Sequence, residues 1–239
     1  MDWPTDAVAA YLRAVVERLQ SLLGDELIAV WLIGSYAVGG FEPNASDVDV
    51  IVVVRRALGE DRKRRLAEEL AEDRLPCPAR KLELVVYARS QVVRRIREPH
   101  FELNLNSAGP EPSHWFLLDL VGARSGGRAL LGPSPAELLP ELPRDWILDA
   151  LRQSLDWHAA EEPESANSVL NACRAWRYAE EGSWSSKPEG AAWASDRSGD
   201  SALIQHALAL RSGGQTASLA SVEVARFLER ARAAVEASR

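Results

Sequence analysis

The sequence predicts an α/β N-terminal domain with a small mixed sheet and helices, followed by an all-α helical-bundle C-terminal domain. Three short apolar runs rich in β-branched residues lie within the first 90 residues. From residue 146 onward every periodic segment has helical spacing instead. A proline-rich stretch, 133–143, lies between the two parts. We therefore expect two domains, residues 1–145 and 146–239.

The composition is that of a globular protein and excludes several classes. The chain has 239 residues, 46% of them hydrophobic, and 28 Lys+Arg against 35 Asp+Glu give a net charge of −7. These values exclude overall disorder and argue against a protein that coats nucleic acid. The two cysteines, Cys77 and Cys173, cannot form a disulfide framework or a Cys-type zinc site. We expect a cytoplasmic monomer that binds neither nucleic acid nor membrane.

The N-terminal part predicts the order α-β-turn-β-α-β. A helix over 6–23 follows from apolar residues at helical spacing, and Leu27–Ile33 is a continuous apolar run typical of a strand buried on both faces. Residues 36–46 are rich in turn formers, and Val48–Val54 predicts a second strand. A charged helix over Glu60–Glu72 and a third strand, Leu82–Tyr87, complete the pattern.

The remaining segments are helical or undecided. Trp115–Val121 fits either a strand or a short helix, and Pro133–Pro143 predicts a surface connection into the second domain. Beyond it, helical patterns cover 146–160, 165–181, 189–195, 200–211 and 217–237. Five of the eight tryptophans lie in this half, which favours a bundle with aromatic residues in or near its core.

The chemistry is concentrated where the first two strands meet. Asp47 and Asp49 are two residues apart at the start of a strand, so their carboxylates point to the same face. Two adjacent carboxylates beside a buried strand repel each other unless a divalent cation lies between them. Carboxylate and phosphate oxygens are the ligands that Mg²⁺ prefers. We therefore predict that Asp47 and Asp49 are catalytic residues and ligands of Mg²⁺.

A phosphate-binding turn precedes these aspartates. Gly34 and Ser35 end the first strand, where a glycine lets the backbone approach a ligand and the serine hydroxyl can donate to a phosphate. We add Ser46, next to Asp47, to the candidate nucleotide-binding residues. Glu83, in the apolar third strand, needs a reason to be there. It is either a third catalytic carboxylate or an edge residue paired with Lys81 or Arg80.

This strand, Gly-Ser, turn, Asp-x-Asp arrangement resembles the nucleotidyltransferase superfamily related to DNA polymerase β. The later stretches resemble the aminoglycoside 3''(9)-adenylyltransferases, which modify streptomycin and spectinomycin. The telling segments are Gly127–Pro133, Asn171–Gly182 with its Arg-x-Trp helix, and Ser186–Ala194 with a lysine followed by Ala-Ala-x-Trp-Ala. The resemblance spans the chain from about Leu27 onward. It implies an ATP- and Mg²⁺-dependent adenylyltransferase of aminoglycoside or aminocyclitol hydroxyls, and hence a role in antibiotic resistance.

The resemblance also implies residue roles. Asp47 and Asp49 would hold Mg²⁺ and the triphosphate, and Glu83 would act as general base and contact the acceptor. Lys187 and Arg197 would reach the phosphates, while Trp176 and Glu181 would line the drug pocket. For three of these residues a structural alternative stays open: Lys187 as a loop lysine, Trp176 as a core residue, and Glu181 as part of a solvated helix end.

Two other functions fit the same residues. The chain could modify a different small-molecule or protein hydroxyl, because the family typically has a tryptophan after the third strand and 101–106 contains none here. It could instead be a non-catalytic nucleotide-binding regulatory protein. Intact Asp47, Asp49 and Glu83 argue against that second alternative.

Overall fold

The computed structural model describes residues 7–42, 45–105, 111–213 and 218–238. The described chain divides into two compact units, one within Met1–Ser113 and Gly122–Glu141, the other within His114–Val121 and Leu142–Arg239. The predicted boundary at residue 145 separates two domains that would fold independently, and it stays a prediction. No helix of the described residues is long and apolar enough to span a membrane.

The first unit is built on a mixed five-stranded sheet in the order β4-β3-β2-β1-β5. The β2–β3 pair is parallel, whereas β1–β2, β1–β5 and β3–β4 are antiparallel. Its elements in chain order are α1 (Ala7–Leu23), β1 (Leu27–Ile33), α2 (Gly34–Ala37), β2 (Val48–Val54), α3 (Glu60–Glu69), β3 (Leu82–Ala88), α4 (Arg89–Val92), β4 (Leu103–Leu105), α5 (Ser113–Gly126, shared between the units), β5 (Arg128–Leu131) and α6 (Pro135–Leu138).

The central strands are buried because apolar residues occupy both of their faces. In β1 and β2 five or six of the seven residues are buried. The apolar stripe of α1, including Leu12, Val15 and Leu19, packs in the same core as Val50, Val52 and Leu84. This burial fixes the register of β1 on β2 and of β2 on β3. The polar residues at the strand ends are thereby held in defined positions.

The second unit is helical. It contains α7 (Arg144–Glu161), α8 (Ala166–Glu181), α9 (Lys187–Ser195), α10 (Ser201–Gly213) and α11 (Ser221–Ala237), together with the first part of α5. Helix α8 contributes Cys173 and Trp176 to the core, where they join Phe227 of α11. Gly182 ends α8 with a positive φ of 69°, the left-handed conformation that favours glycine.

Several predicted bounds need correction. The charged helix ends at Glu69 rather than Glu72, and Trp115–Val121 is helical within α5. The third strand continues to Ala88, and a single helical turn, α2, follows β1 directly. Edge strands β4 and β5 were outside the prediction, and the 133–143 connection contains α6. Asp6, Asn106 and Ala217, which the predictions included, lie outside the described residues.

Candidate active site

The Asp49 carboxylate lies directly against Gly34. The antiparallel register places Asp49 opposite Ile33, the last residue of β1. Gly34 follows with φ +65°, and a Cβ added there would lie 1.8 Å from Oδ2 of Asp49. Any side chain at this position would therefore overlap the carboxylate and adopt a backbone conformation that costs L-residues about 1–2 kcal/mol. Glycine is required here for both reasons.

Glu83 stands beside Asp49 on the neighbouring strand. The parallel register pairs the two residues directly, so their side chains lie on the same face of the sheet. Asp47 comes one residue before β2. Its side chain is only 10% exposed, whereas that of Glu83 is 43% exposed. The fold thus gathers the three predicted carboxylates around the start of β2 and β3.

Two cations from the segment before β3 pair with these carboxylates. Arg80 donates from Nε to Oδ1 of Asp47 at 2.8 Å and from Nη2 to Oδ2 at 2.5 Å. Lys81 Nζ lies 2.7 Å from Oε1 of Glu83. The hydrogen bond to Asp47 raises the pKa of Arg80. Burial lowers the pKa of Lys81, but the hydrogen bond and charge of Glu83 outweigh it, and the pKa is raised overall.

The two predicted serines occupy different surroundings. Ser35 lies in α2, partly buried, and its carbonyl accepts a hydrogen bond from the Gly40 N–H at 2.9 Å. The Ser46 hydroxyl is buried and accepts a hydrogen bond from the Glu42 N–H at 3.0 Å. Ser46 therefore closes the turn that leads into Asp47. A nucleotide-binding role for either serine stays a prediction.

The donor set fits Mg²⁺ when a triphosphate is also bound. Among the described residues no group of three or more His, Cys, Asp or Glu side chains could hold a metal ion, so two carboxylates without a nucleotide would bind a metal only weakly. Mg²⁺ is usually bound through one or two carboxylates plus substrate phosphates rather than by an all-protein cage. Asp47 and Asp49 could supply oxygen ligands of this kind, and the space left by the missing Gly34 side chain is occupied by the Asp49 carboxylate.

Lys187 is the first residue of α9 and belongs to a polar network in the helical unit. Ser186 caps this helix in a capping box with Glu189. The Lys187 Nζ donates to Oδ1 of Asn167 at 2.5 Å. Asn167 in turn donates to Glu162 at 3.2 Å, and Glu162 lies 3.1 Å from Nδ1 of the buried His158. Lys187 is therefore an anchored side chain rather than a loop lysine.

Glu181, Arg197 and Trp176 meet around Trp193. The Glu181 carboxylate accepts hydrogen bonds from Trp193 Nε1 at 2.5 Å and from Arg177 at 3.1 Å. These two hydrogen bonds lower the pKa of Glu181. The Arg197 guanidinium lies 4.3 Å from the Trp193 ring centroid and 3.7 Å from Glu181. Trp176 packs edge-to-face against Trp193 and is 8% exposed. Their binding roles stay predictions.

Sequence reasoning missed several polar residues that the fold brings into these clusters. Arg80 and Lys81 were considered only as partners of Glu83, although their position just before β3 was a usable signal. Asn167 and His158 gave no signal, because each also has a partner on another helix, Lys187 for Asn167 and Asn171 for His158. Arg174, partly buried against Gly190, donates to the Ser185 carbonyl at 2.8 Å. Burial lowers the pKa of Arg174 to about 10.

Comparison with known proteins identifies the family. A model described as "Nucleotidyltransferase domain" matches residues 12–100, and one described as "Aminoglycoside adenylyltransferase, C-terminal domain" matches residues 137–234. A spectinomycin 9-adenylyltransferase of Staphylococcus aureus is 30% identical over 192 residues, 74% of each chain. The chain belongs to the family of aminoglycoside and spectinomycin adenylyltransferases. The predicted class of enzyme, an ATP-dependent adenylyltransferase, is thereby confirmed.

Two further proteins are similar to this chain in sequence or in fold. An aminoglycoside (3'')(9) adenylyltransferase of Klebsiella pneumoniae is 28% identical over 208 residues, 80% of this chain and 79% of that one. The crystal structure of a spectinomycin adenyltransferase from Enterococcus faecialis, with ATP and spectinomycin, matches with a TM-score of 0.75 at 20% identity. That match covers 95% of this chain and 98% of the other and confirms the predicted fold.

Proposed function

We propose that the protein transfers AMP from ATP to a hydroxyl group of an aminoglycoside or aminocyclitol antibiotic, streptomycin or spectinomycin, and releases pyrophosphate. The observation that carries this proposal is the arrangement around Gly34, where Asp49 fills the space of a missing side chain and faces Glu83 across the parallel register. The names of the relatives, spectinomycin and aminoglycoside adenylyltransferases, support the substrate class.

Within this proposal the three carboxylates have separate tasks. Asp47 and Asp49 hold Mg²⁺, which supplies Lewis-acid stabilisation of the charge that develops on the phosphates. Glu83 takes the proton of the acceptor hydroxyl as its oxygen attacks the α-phosphorus. The bond from that phosphorus to the bridging oxygen then breaks, and pyrophosphate leaves with the electron pair. Half-exposed Glu83 can meet an acceptor, whereas Asp47 is nearly covered.

The remaining predicted residues serve binding. Lys187 and Arg197 neutralise phosphate charge, with Gly34, Ser35 and Ser46 on the nucleotide side, while Trp176 and Glu181 bind the acceptor. An acidic protein with a net charge of −7 attracts a polycationic drug through its long-range field. We also propose that the enzyme is cytoplasmic and monomeric and needs neither nucleic acid nor a membrane.

The test is pyrophosphate release from ATP and Mg²⁺ with streptomycin, spectinomycin, kanamycin, lincomycin or no acceptor. We expect release with streptomycin or spectinomycin only. We expect Asp49→Asn to abolish it and Glu83→Gln to reduce kcat by about 10²–10⁴-fold, the usual contribution of a positioned base. Arg56→Gln serves as the control, because Arg56 pairs with Glu26 at 2.7 Å beyond the other end of β2.

The outcomes separate the alternatives. Turnover by Asp49→Asn at the parent rate would refute the assigned chemistry. If none of the drugs in the panel causes pyrophosphate release while ATP still binds, a different acceptor hydroxyl is favoured. That alternative has one observation in its favour, the absence of a tryptophan from 101–106.

A further inference from the structure

Arg80 engages both oxygens of Asp47, the carboxylate to which the proposed function assigns a metal. Backbone hydrogen bonds on either side of this contact hold the Arg80 and Asp47 segments close together. The Arg80 N–H donates to the Ser46 carbonyl at 3.2 Å, and the Val48 N–H donates to the Lys81 carbonyl at 2.9 Å. Residues 80–81 are therefore tied to the turn that presents Asp47. The two-point contact follows from this local pairing of backbone segments.

The contact conflicts with metal binding at the same carboxylate. Both Asp47 oxygens already accept hydrogen bonds from one guanidinium, whose positive charge repels any metal ion that approaches the same oxygens. The Arg80 side chain is 58% exposed, whereas that of Asp47 is 10% exposed. The arginine can swing toward solvent, but the carboxylate cannot. A covered carboxylate that loses its partner is unstable unless another cation replaces it.

The balance of charges at the site also indicates that Arg80 changes its partner when a metal and a nucleotide bind. Asp47, Asp49 and Glu83 bring three negative charges to the start of β2 and β3, and Arg80 and Lys81 bring two positive ones. Arg80 is attracted electrostatically to all three carboxylates. A divalent metal that arrives with a triphosphate adds two positive charges and about four negative ones, so a released guanidinium is needed next to the phosphates.

We propose that Arg80 is an exchangeable counter-ion, which neutralises Asp47 in the metal-free protein, yields that carboxylate to Mg²⁺ when the nucleotide binds, and then neutralises the triphosphate. The inference rests on the proposed function in taking Asp47 as a metal ligand. It makes Arg80 a positioning residue with opposite effects on two ligands: it weakens binding of the metal alone and strengthens binding of the nucleotide.

The experiment measures those two affinities separately in the full-length protein. Mn²⁺ binding without nucleotide is followed by electron paramagnetic resonance, and binding of a non-hydrolysable ATP analogue with Mg²⁺ by calorimetry. We expect Arg80→Gln to bind Mn²⁺ more tightly, on the order of tenfold, because no guanidinium charge then opposes the metal ion at Asp47. It should bind the Mg²⁺–nucleotide analogue about tenfold more weakly, by loss of a charged phosphate contact.

Three further variants make the result interpretable. Arg80→Lys keeps the charge without the two-point fork and should lie between the parent and Arg80→Gln. Arg56→Gln removes an arginine–glutamate pair beyond the other end of β2 and should match the parent in both measurements. Asp47→Asn should lose Mn²⁺ binding. If it does not, the assignment of Asp47 as a metal ligand fails, which is a failure of the proposed function.

The inference about Arg80 has its own refutation. If Asp47→Asn loses Mn²⁺ binding but Arg80→Gln binds Mn²⁺ no more tightly than the parent, Arg80 does not compete with the metal. Melting temperatures with and without MgCl₂ provide a second readout for any variant of low stability. The Mg²⁺-induced increase should be larger in Arg80→Gln than in the parent, and an equal increase would also overturn the inference.

Discussion

Replacing Gly34 with alanine tests whether the close approach of Asp49 is needed for catalysis. The new Cβ would lie 1.8 Å from the Asp49 carboxylate oxygen, whereas ordinary contact begins at 3.4 Å. The carboxylate must therefore retreat by about 1.6 Å. A misplacement of about 1 Å at a reacting centre can cost on the order of 10²-fold in rate. We expect kcat/KM to fall by at least about 10²-fold, or roughly 2.7 kcal/mol of transition-state stabilisation.

Stability changes in the same variant must be separated from the loss of activity. Alanine at φ +65° costs about 1–2 kcal/mol of folding free energy whatever surrounds it. Gly24 provides a matched control, because it has φ +50° with no atom within 4 Å of an added Cβ and precedes the opposite end of β1. Gly24→Ala should lose similar stability and keep its activity.

The assay is pyrophosphate release at saturating Mg²⁺, with thermal unfolding of both variants and the parent. Gly34→Ala and Gly24→Ala should both melt at a lower temperature than the parent, and only Gly34→Ala should lose activity. Full activity of a folded Gly34→Ala protein would refute the reasoning, because it would mean that the Asp49 position does not matter. An equal loss of activity in both variants would refute it as well, since strain alone would then explain the effect.

Two further predictions concern the helical unit. Lys187→Met should lower kcat/KM for ATP by about 10²-fold, the typical loss on removing one charge-stabilising donor, and unchanged steady-state kinetics would exclude a phosphate-binding role. His114 is buried, its Nε2 has no hydrogen-bond partner among the described residues, and burial, aided by the charge of His158, lowers its pKa to about 4. Only the unfolded chain binds this proton between about pH 6.5 and 4, so the parent should lose about 2 kcal/mol of stability from pH 7 to pH 5. His114→Leu should remove that part of the loss in urea unfolding at the two pH values, and an identical pH dependence in both proteins would contradict it.

The elements best predicted from sequence are those whose local pattern agrees with their tertiary surroundings. Leu27–Ile33 and Val48–Val54 match β1 and β2 because a buried central strand needs apolar residues on both faces. The edge strands β4 and β5 have three and four residues and are less buried, so they leave no such pattern. Trp115–Val121 was ambiguous because a short, almost wholly apolar run has no clear period.

The contacts of the candidate site also divide into those that could be predicted from the sequence and those that could not. The proximity of Asp49 to Gly34 could be inferred, because the two residues lie where neighbouring predicted strands end and begin, whereas that of Asp49 to Glu83 was implied only by the family resemblance. The bond between Arg80 and Asp47 joins residues 33 positions apart and depends on how two loops meet. Likewise, the family resemblance implied that Trp176 and Glu181 line a drug pocket, and the structure has both in contact with Trp193 of the next helix, Trp176 edge-to-face and Glu181 as acceptor of its indole N–H. Such contacts depend on packing between helices.

The order of strands in the sheet also determines how far the carboxylates are affected by local unfolding. Asp49 and Glu83 belong to β2 and β3, each with a hydrogen-bonded neighbour on both sides, whereas β4 and β5 have one neighbour each. Local opening begins where backbone amides are least protected, at the edges and ends of elements. Transient fraying of β4 or β5 therefore leaves the β2–β3 ladder closed. The separation of the two carboxylates is thus preserved in the partly open states that a native protein visits most often.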